Sequence, residues 1–140
     1  MRPKKIILCI DDNEHELSVT KFMLHINGYK VIGALNAQEA IAVIAATPVD
    51  LVLADQFMPN TSGSQVVARL KQIAPHVPMI LLGDPQKMGG EIHAADALLA
   101  KRNCSPQELL ERIRTMSTRK RGPRKGVPRT IAETGLAAAS

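Results

Sequence analysis

Ile6-Ile7-Leu8-Cys9-Ile10-Asp11-Asp12 is the stretch on which the fold turns. Its apolar part is short and bounded by charge, which reads as a strand buried on both faces. The run ends on two aspartates. A second run, Leu51-Val52-Leu53-Ala54, ends on Asp55 in the same way. As strands of one parallel sheet, the two runs bring three carboxylates to one edge. Like charges that close repel strongly when partly shielded from water, so a cation belongs beside them. A hard, oxygen-liganded divalent ion such as Mg²⁺ matches the ligand type. Lys101, at the end of Ala97-Leu98-Leu99-Ala100, is a second source of positive charge. Such a cluster is suited to phosphoryl transfer.

Outward from these runs, apolar strands alternate with amphipathic segments. A helix is predicted over Glu14–Asn27, with Leu17, Phe22 and Leu24 at near-helical spacing and Gly28 as its stop. Lys30–Ala34 reads as the second strand. Asn36-Ala37-Gln38-Glu39 is a capping-box pattern that opens a helix through about Ala46, which Thr47-Pro48 ends. After the strand Leu51–Ala54 and the loop Asn60–Gly63, a helix is predicted through about Ile73. Met79–Leu82 and Ala97–Ala100 are the fourth and fifth strands. Between them Gly89-Gly90 interrupts any helix. Ser105-Pro106-Gln107-Glu108 combines an N-cap, a first-turn proline and an acid, and opens a last helix to about Met116. Five strand–helix units of this kind imply an α/β fold: a five-stranded parallel sheet, doubly wound and flavodoxin-like, with helices on both faces. Ligands in such sheets bind beyond the carboxyl ends of the strands. Asp11, Asp12, Asp55, Gly83 and Lys101 all fall there.

Composition narrows the function classes. Aromatic residues make up 2% of the 140 residues and Trp is absent, so the core is aliphatic and base stacking is a poor binding mode. Cys9 and Cys104 form no disulfide framework and are expected to be reduced, which fits a cytoplasmic protein. The basic start Met1-Arg2-Pro3-Lys4-Lys5 precedes too short an apolar run for a signal segment or a membrane span, so no transmembrane segment is expected. The net charge of +5 is not spread evenly: residues 1–118 hold 12 Lys+Arg and 12 Asp+Glu, whereas residues 119–140 hold 6 basic residues and one acid. His15, His25, His76 and His93 lack metal-ligand spacing, and no Gly-rich phosphate loop occurs.

Taken together, Asp11-Asp12, Asp55-Gln56-Phe57-Met58-Pro59 with Gly63 four residues on, Val77-Pro78-Met79-Ile80-Leu81-Leu82, and Ala95-Asp96-Ala97-Leu98-Leu99-Ala100-Lys101 resemble a response-regulator receiver domain of the CheY-like superfamily. The resemblance covers about residues 4–116. It implies that Asp55 is the phosphoacceptor, a carboxylate nucleophile that forms an acyl phosphate. It implies that Asp11 and Asp12 hold Mg²⁺ with Asp55 and the backbone carbonyl of Phe57, and that Lys101 pairs with the phosphoryl group. The implied partners are a sensor histidine kinase or a histidine phosphotransfer protein, a downstream protein, and a second copy in a dimer. The implied role is phosphorelay signalling, with self-catalysed phosphoryl acceptance rather than enzyme turnover. An Asp-nucleophile phosphatase is disfavoured, because the residue two after Asp55 is Phe57 and not a second acid.

Three positions depart from the family pattern. Gly83 stands where a Ser or Thr hydroxyl usually contacts the phosphoryl oxygen, and Asp84 follows it. Leu98 stands where the family usually has a switch aromatic. Lys101-Arg102 replaces the usual Lys-Pro. The Gly83-to-Lys101 spacing is also about one helical turn short, which implies a truncated or irregular fourth helix. The expectation is a single-domain receiver, residues 1–118, that keeps phosphoacceptor chemistry with an altered readout. The alternative is a pseudo-receiver binding module that works by docking or through residues 119–140. That basic, Gly- and Pro-containing tail is expected to be disordered in isolation. It reads either as a solubilising extension or as a contact for an anionic partner: nucleic acid, lipid or an acidic protein. No helix-turn-helix of usual length follows residue 118.

Overall fold

The computed structural model describes residues 4–58, 61–84, 94–102 and 104–117. The elements in chain order are β1 (Ile6–Ile10), α1 (Glu14–Ile26), β2 (Lys30–Ala34), α2 (Ala37–Ala46), β3 (Leu51–Asp55), α3 (Gly63–Ile73), β4 (Met79–Gly83), β5 (Ala97–Ala100) and α4 (Pro106–Ser117). The short or irregular helix expected in the segment Gly83–Ala95 falls mostly on residues 85–93, which lie outside the described residues, as do residue 118 and the tail, 119–140. The five strands form one parallel sheet in the order β2-β1-β3-β4-β5. After β1 the chain moves outward to β2 and then crosses back to β3. That reversal leaves a crevice beyond the carboxyl ends of β1 and β3.

Side-chain alternation along each strand divides the core in two. On one face Leu8, Ile10, Val52, Ala54, Met79 and Leu81 pack with Ala40 and Ile44 of α2 and Val66, Val67 and Leu70 of α3. On the other, Ile7, Cys9, Leu51, Leu53 and Ile80 pack with Leu17 and Leu24 of α1 and Leu109, Ile113 and Met116 of α4. Helices on both faces are thus the observed architecture. Cys9 is the small core residue expected, and burial pushes its thiol up to about 12, which leaves it unreactive.

Helix ends follow their local chemistry. The Asn13 side chain accepts the Glu16 N–H at the start of α1. At its other end the Tyr29 N–H donates to the Leu24 carbonyl and the Gly28 N–H to His25, with Gly28 at φ 95°, a Schellman stop that only glycine adopts readily. The apolar reading of α1 needs one correction. Leu17 and Leu24 are buried, but Phe22 is 65% exposed. Residues seven apart share a helix face, whereas five apart lie about 140° around the axis. Phe22 therefore falls with Val19 and Ile26 on the outward side. A capping box at Ser62 and Gln65, carried by Ser62-Gly63-Ser64-Gln65, starts α3.

Two further aspartates tie down the opposite edge of the sheet. The Asp50 carboxylate accepts the Ile6 N–H at 2.8 Å, and Asp96 accepts the Met79 N–H at 2.8 Å and pairs with Lys71 at 2.7 Å. Asp96→Ala leaves the N–H of the fully buried Met79 without that acceptor. The expected loss of stability is about 1–3 kcal/mol, measured by urea denaturation.

Candidate functional site

The crevice at the β1/β3 reversal is where the acids gather. Asp11 and Asp12 leave the end of β1, and Asp55 is the last residue of β3. Each offers a carboxylate oxygen, and these oxygens lie within 4.8 Å of one another. Burial is graded across them: Asp55 is 3% exposed, Asp11 is half-buried and Asp12 is exposed. The deepest carboxylate is held at both oxygens. Asp55 Oδ1 accepts the Phe57 N–H at 3.0 Å, and Asp55 Oδ2 accepts from Lys101 Nζ at 2.7 Å. Lys101 reaches it from the end of β5, where its own N–H donates to the Gly83 carbonyl at 2.9 Å.

The four groups predicted to converge, Asp11, Asp12, Asp55 and Lys101, do converge. Phe57 lies two residues past β3 with its ring exposed and centred 6.0 Å from Lys101 Nζ. Gly83 closes β4 beside Ala100 of β5 and supplies only backbone to the site. Leu98 packs against the core cluster that contains Leu8, Ala54 and Leu81.

A platform under the acids sets Asp55. The Gln56 N–H donates to the Leu82 carbonyl at 2.8 Å, and its side-chain oxygen accepts from the Ser64 N–H and hydroxyl at 2.8 and 3.0 Å. The first turn of α3 is thereby tied to the residue after Asp55. Gly63 permits this approach. A Cβ built there would stand 2.7 Å from Leu81 Cδ1 and closer still to the Asp55 carbonyl oxygen.

One residue that contacts the site escaped the sequence reading. Glu16, in the first turn of α1, accepts from Lys101 Nζ at 2.9 Å, so the ammonium is shared between Glu16 and Asp55. An acid at that helix position ordinarily reads as a partner of the helix dipole, which hid the contact. Burial works to lower the Lys101 ammonium, but hydrogen bonds to Asp55 and Glu16 outweigh it and leave it above its ordinary value. The same lysine holds the Glu16 carboxyl below its ordinary value.

Burial pushes the Asp11 carboxyl up to about 6, against the pull of the Asn13 N–H and with the Asp55 charge adding to the rise. A raised carboxyl means that the folded chain holds this proton more tightly than the unfolded chain. Its contribution is therefore fully present below the ordinary carboxyl range and is lost as pH rises through about 6. At this partly solvated position the loss is expected to be about 1 kcal/mol. The difference in urea stability between the wild type and Asp11→Asn, followed from pH 4 to 7, checks it. Saturating Mg²⁺ is expected to remove the loss.

Three carboxylate oxygens at this spacing, with the deepest held in place, form a set of hard donors that fits Mg²⁺. With the geometry established, the resemblance to known proteins is specific. Residues 7–114 match the family model of the response regulator receiver domain. The chain is 34% identical over 125 residues to the phosphate regulon transcriptional regulatory protein PhoB of Pseudomonas aeruginosa, covering 85% of this chain and 54% of that protein. It is 28% identical over 117 residues to the response regulator SaeR of Staphylococcus aureus, covering 81% of this chain and 50% of that protein. The chain thus spans about half the length of these curated relatives. Among solved structures, the response regulator TrrA of Thermotoga maritima in complex with Mg²⁺-BeF superposes with a TM-score of 0.73 at 28% identity, covering 80% of this chain and 98% of that one. A CheY-like receiver domain protein from Methanospirillum hungatei gives 0.73 at 27% identity, covering 82% and 94%.

Proposed function

The chain belongs to the response-regulator receiver domain family, and from that membership we propose that Asp55 accepts a phosphoryl group from a phosphohistidine on a sensor histidine kinase or a histidine phosphotransfer protein. The single observation that carries this reading is the clamped, buried Asp55 carboxylate, facing Asp11 and Asp12 with Lys101 at 2.7 Å. A carboxylate oxygen of Asp55 attacks phosphorus, the P–N bond breaks, and its electron pair returns to the imidazole of the donor. The product is an acyl phosphate on Asp55.

Each neighbour has a part. Asp11, Asp12 and Asp55, with the Phe57 backbone carbonyl, would hold Mg²⁺, which when bound neutralises charge on the transferring oxygens. Lys101 supplies a fixed positive charge to the phosphoryl group. The Phe57 N–H steadies the carboxylate before transfer. The reaction is self-catalysed acceptance within a phosphorelay, and the output is a protein contact rather than a released product. We assign its place of action to the cytoplasm, where its two free cysteines stay reduced. Among the described residues, no helix is long and apolar enough to cross a membrane.

Gly83 and Leu98 favour an altered readout. Gly83 has no hydroxyl to follow the phosphoryl group, and Leu98, half-buried against the core, has no polar tip to move. The same two residues are what favour the second reading, a receiver-like module that docks without phosphate. Intact-protein mass spectrometry after incubation with Mg²⁺ and a small phosphodonor divides the two. One phosphoryl group gained, and lost in Asp55→Asn, upholds the first; no gain favours the second, a binding module that acts by docking or through residues 119–140.

A further inference from the structure

Lys101 is claimed by two carboxylates, and only one of them belongs to the acid cluster. Glu16 Oε1 sits 2.9 Å from Lys101 Nζ and Asp55 Oδ2 sits 2.7 Å from it, and Glu16 also neighbours Asp11. The two carboxylates differ in cover: the Glu16 side chain is 48% exposed and that of Asp55 is 3% exposed. Glu16 is fixed at its own backbone, because its N–H is capped by Asn13, and the Asn13 N–H is in turn held by Asp11 Oδ1 at 3.0 Å. The first turn of α1 is therefore anchored to the acid cluster itself and reaches over to the lysine at the end of β5.

An ammonium has three donors, and two are already used. A phosphoryl group on Asp55 adds anionic oxygens where Lys101 already points. Glu16 then becomes both a competitor for the ammonium and a like charge at the mouth of the site. We propose that Glu16 is a positioning residue for Lys101, which it holds at the mouth of the site until a phosphoryl group on Asp55 takes the ammonium from it. The inference rests on the reading of Asp55 as the phosphoacceptor. It assigns to the first turn of α1 a contact that is made before phosphorylation and released after it.

The test uses the full chain, beryllofluoride as the phosphoryl mimic, and saturating Mg²⁺ for each variant. Affinity is read by fluorine NMR, and the Lys101 ammonium by its ¹⁵N signal. Glu16→Ala is expected to bind the mimic about fivefold more tightly than the wild type, the scale set by a half-exposed ion pair. Glu16→Gln, whose amide oxygen still accepts from Lys101 without the charge, is expected to fall between them. It also serves as the variant of record if Glu16→Ala folds poorly. A Glu16 that only steadied the helix would give the opposite sign, because loosening α1 weakens binding. In the wild type the mimic should shift the Lys101 signal toward its position in Glu16→Ala. Glu16→Ala binding within about twofold of the wild type, or either variant binding more weakly than the wild type, overturns the proposal. If the wild type itself takes up no beryllofluoride, the phosphoacceptor reading falls and this inference with it; if it does and the variants match it, only the role of Glu16 falls.

Discussion

Asp55→Asn is expected to abolish phosphoryl gain while leaving the fold intact. The amide nitrogen is not a nucleophile, so no acyl phosphate forms. The substitution keeps the side-chain volume and one carbonyl oxygen, which can still accept from Lys101 Nζ or from the Phe57 N–H. It also removes one of three clustered negative charges, so folding stability should not fall as it would on truncating a buried charge with a fixed partner. Metal affinity should fall as well, since one of three anionic donors becomes neutral. Intact-mass spectrometry with Mg²⁺ and a small phosphodonor reads the first effect and urea denaturation the second. A variant that still gains a phosphoryl group at the wild-type rate would move the acceptor elsewhere and remove the basis of the functional reading.

Gly63→Ala is expected to damage both stability and the site. The restriction is space and not backbone conformation: the added Cβ would press on the Asp55 carbonyl oxygen and on Leu81 Cδ1. Neither can yield easily. The first is main chain in the central sheet, and Leu81 is fully buried among close-packed neighbours. The start of α3 must lift instead, at a cost of about 1–3 kcal/mol or more. Because Gln56 ties Ser64 to the residue after Asp55, that lift pulls on the carboxylate as well. Chemical denaturation should show the stability loss and calorimetric titration a weaker Mg²⁺ affinity. This pairing separates the two variants: Asp55→Asn loses chemistry on a sound fold, whereas Gly63→Ala loses both. An unchanged Mg²⁺ affinity in Gly63→Ala would mean that the platform does not position the acid.

The aspartates show what a chain of residues reveals and what it conceals. Asp11, Asp12, Asp50, Asp55 and Asp96 all flank apolar runs. Those that follow a strand meet at one edge of a parallel sheet, because every strand points the same way; those that precede one lie at the other edge. Asp50 and Asp96 accordingly clamp the backbones of Ile6 and Met79, and take no part in the acid cluster. Direction along the chain is enough to sort them, so the location of the site is readable in the sequence.

What pattern alone determined was thus the layered parallel fold, the cluster at its carboxyl edge and the family resemblance. Each depends on short-range regularities: apolar runs of strand length, caps at helix ends, and a motif with fixed spacing. Three things were decided only by the tertiary structure: the outward turn of Phe22, the pressure point at Gly63, and the division of one lysine between Asp55 and Glu16. The first depends on which side of a helix faces the sheet. The other two depend on distances of a few ångströms between segments far apart in the chain. Periodicity carries no record of such distances, because packing sets them only after every element has found its neighbours.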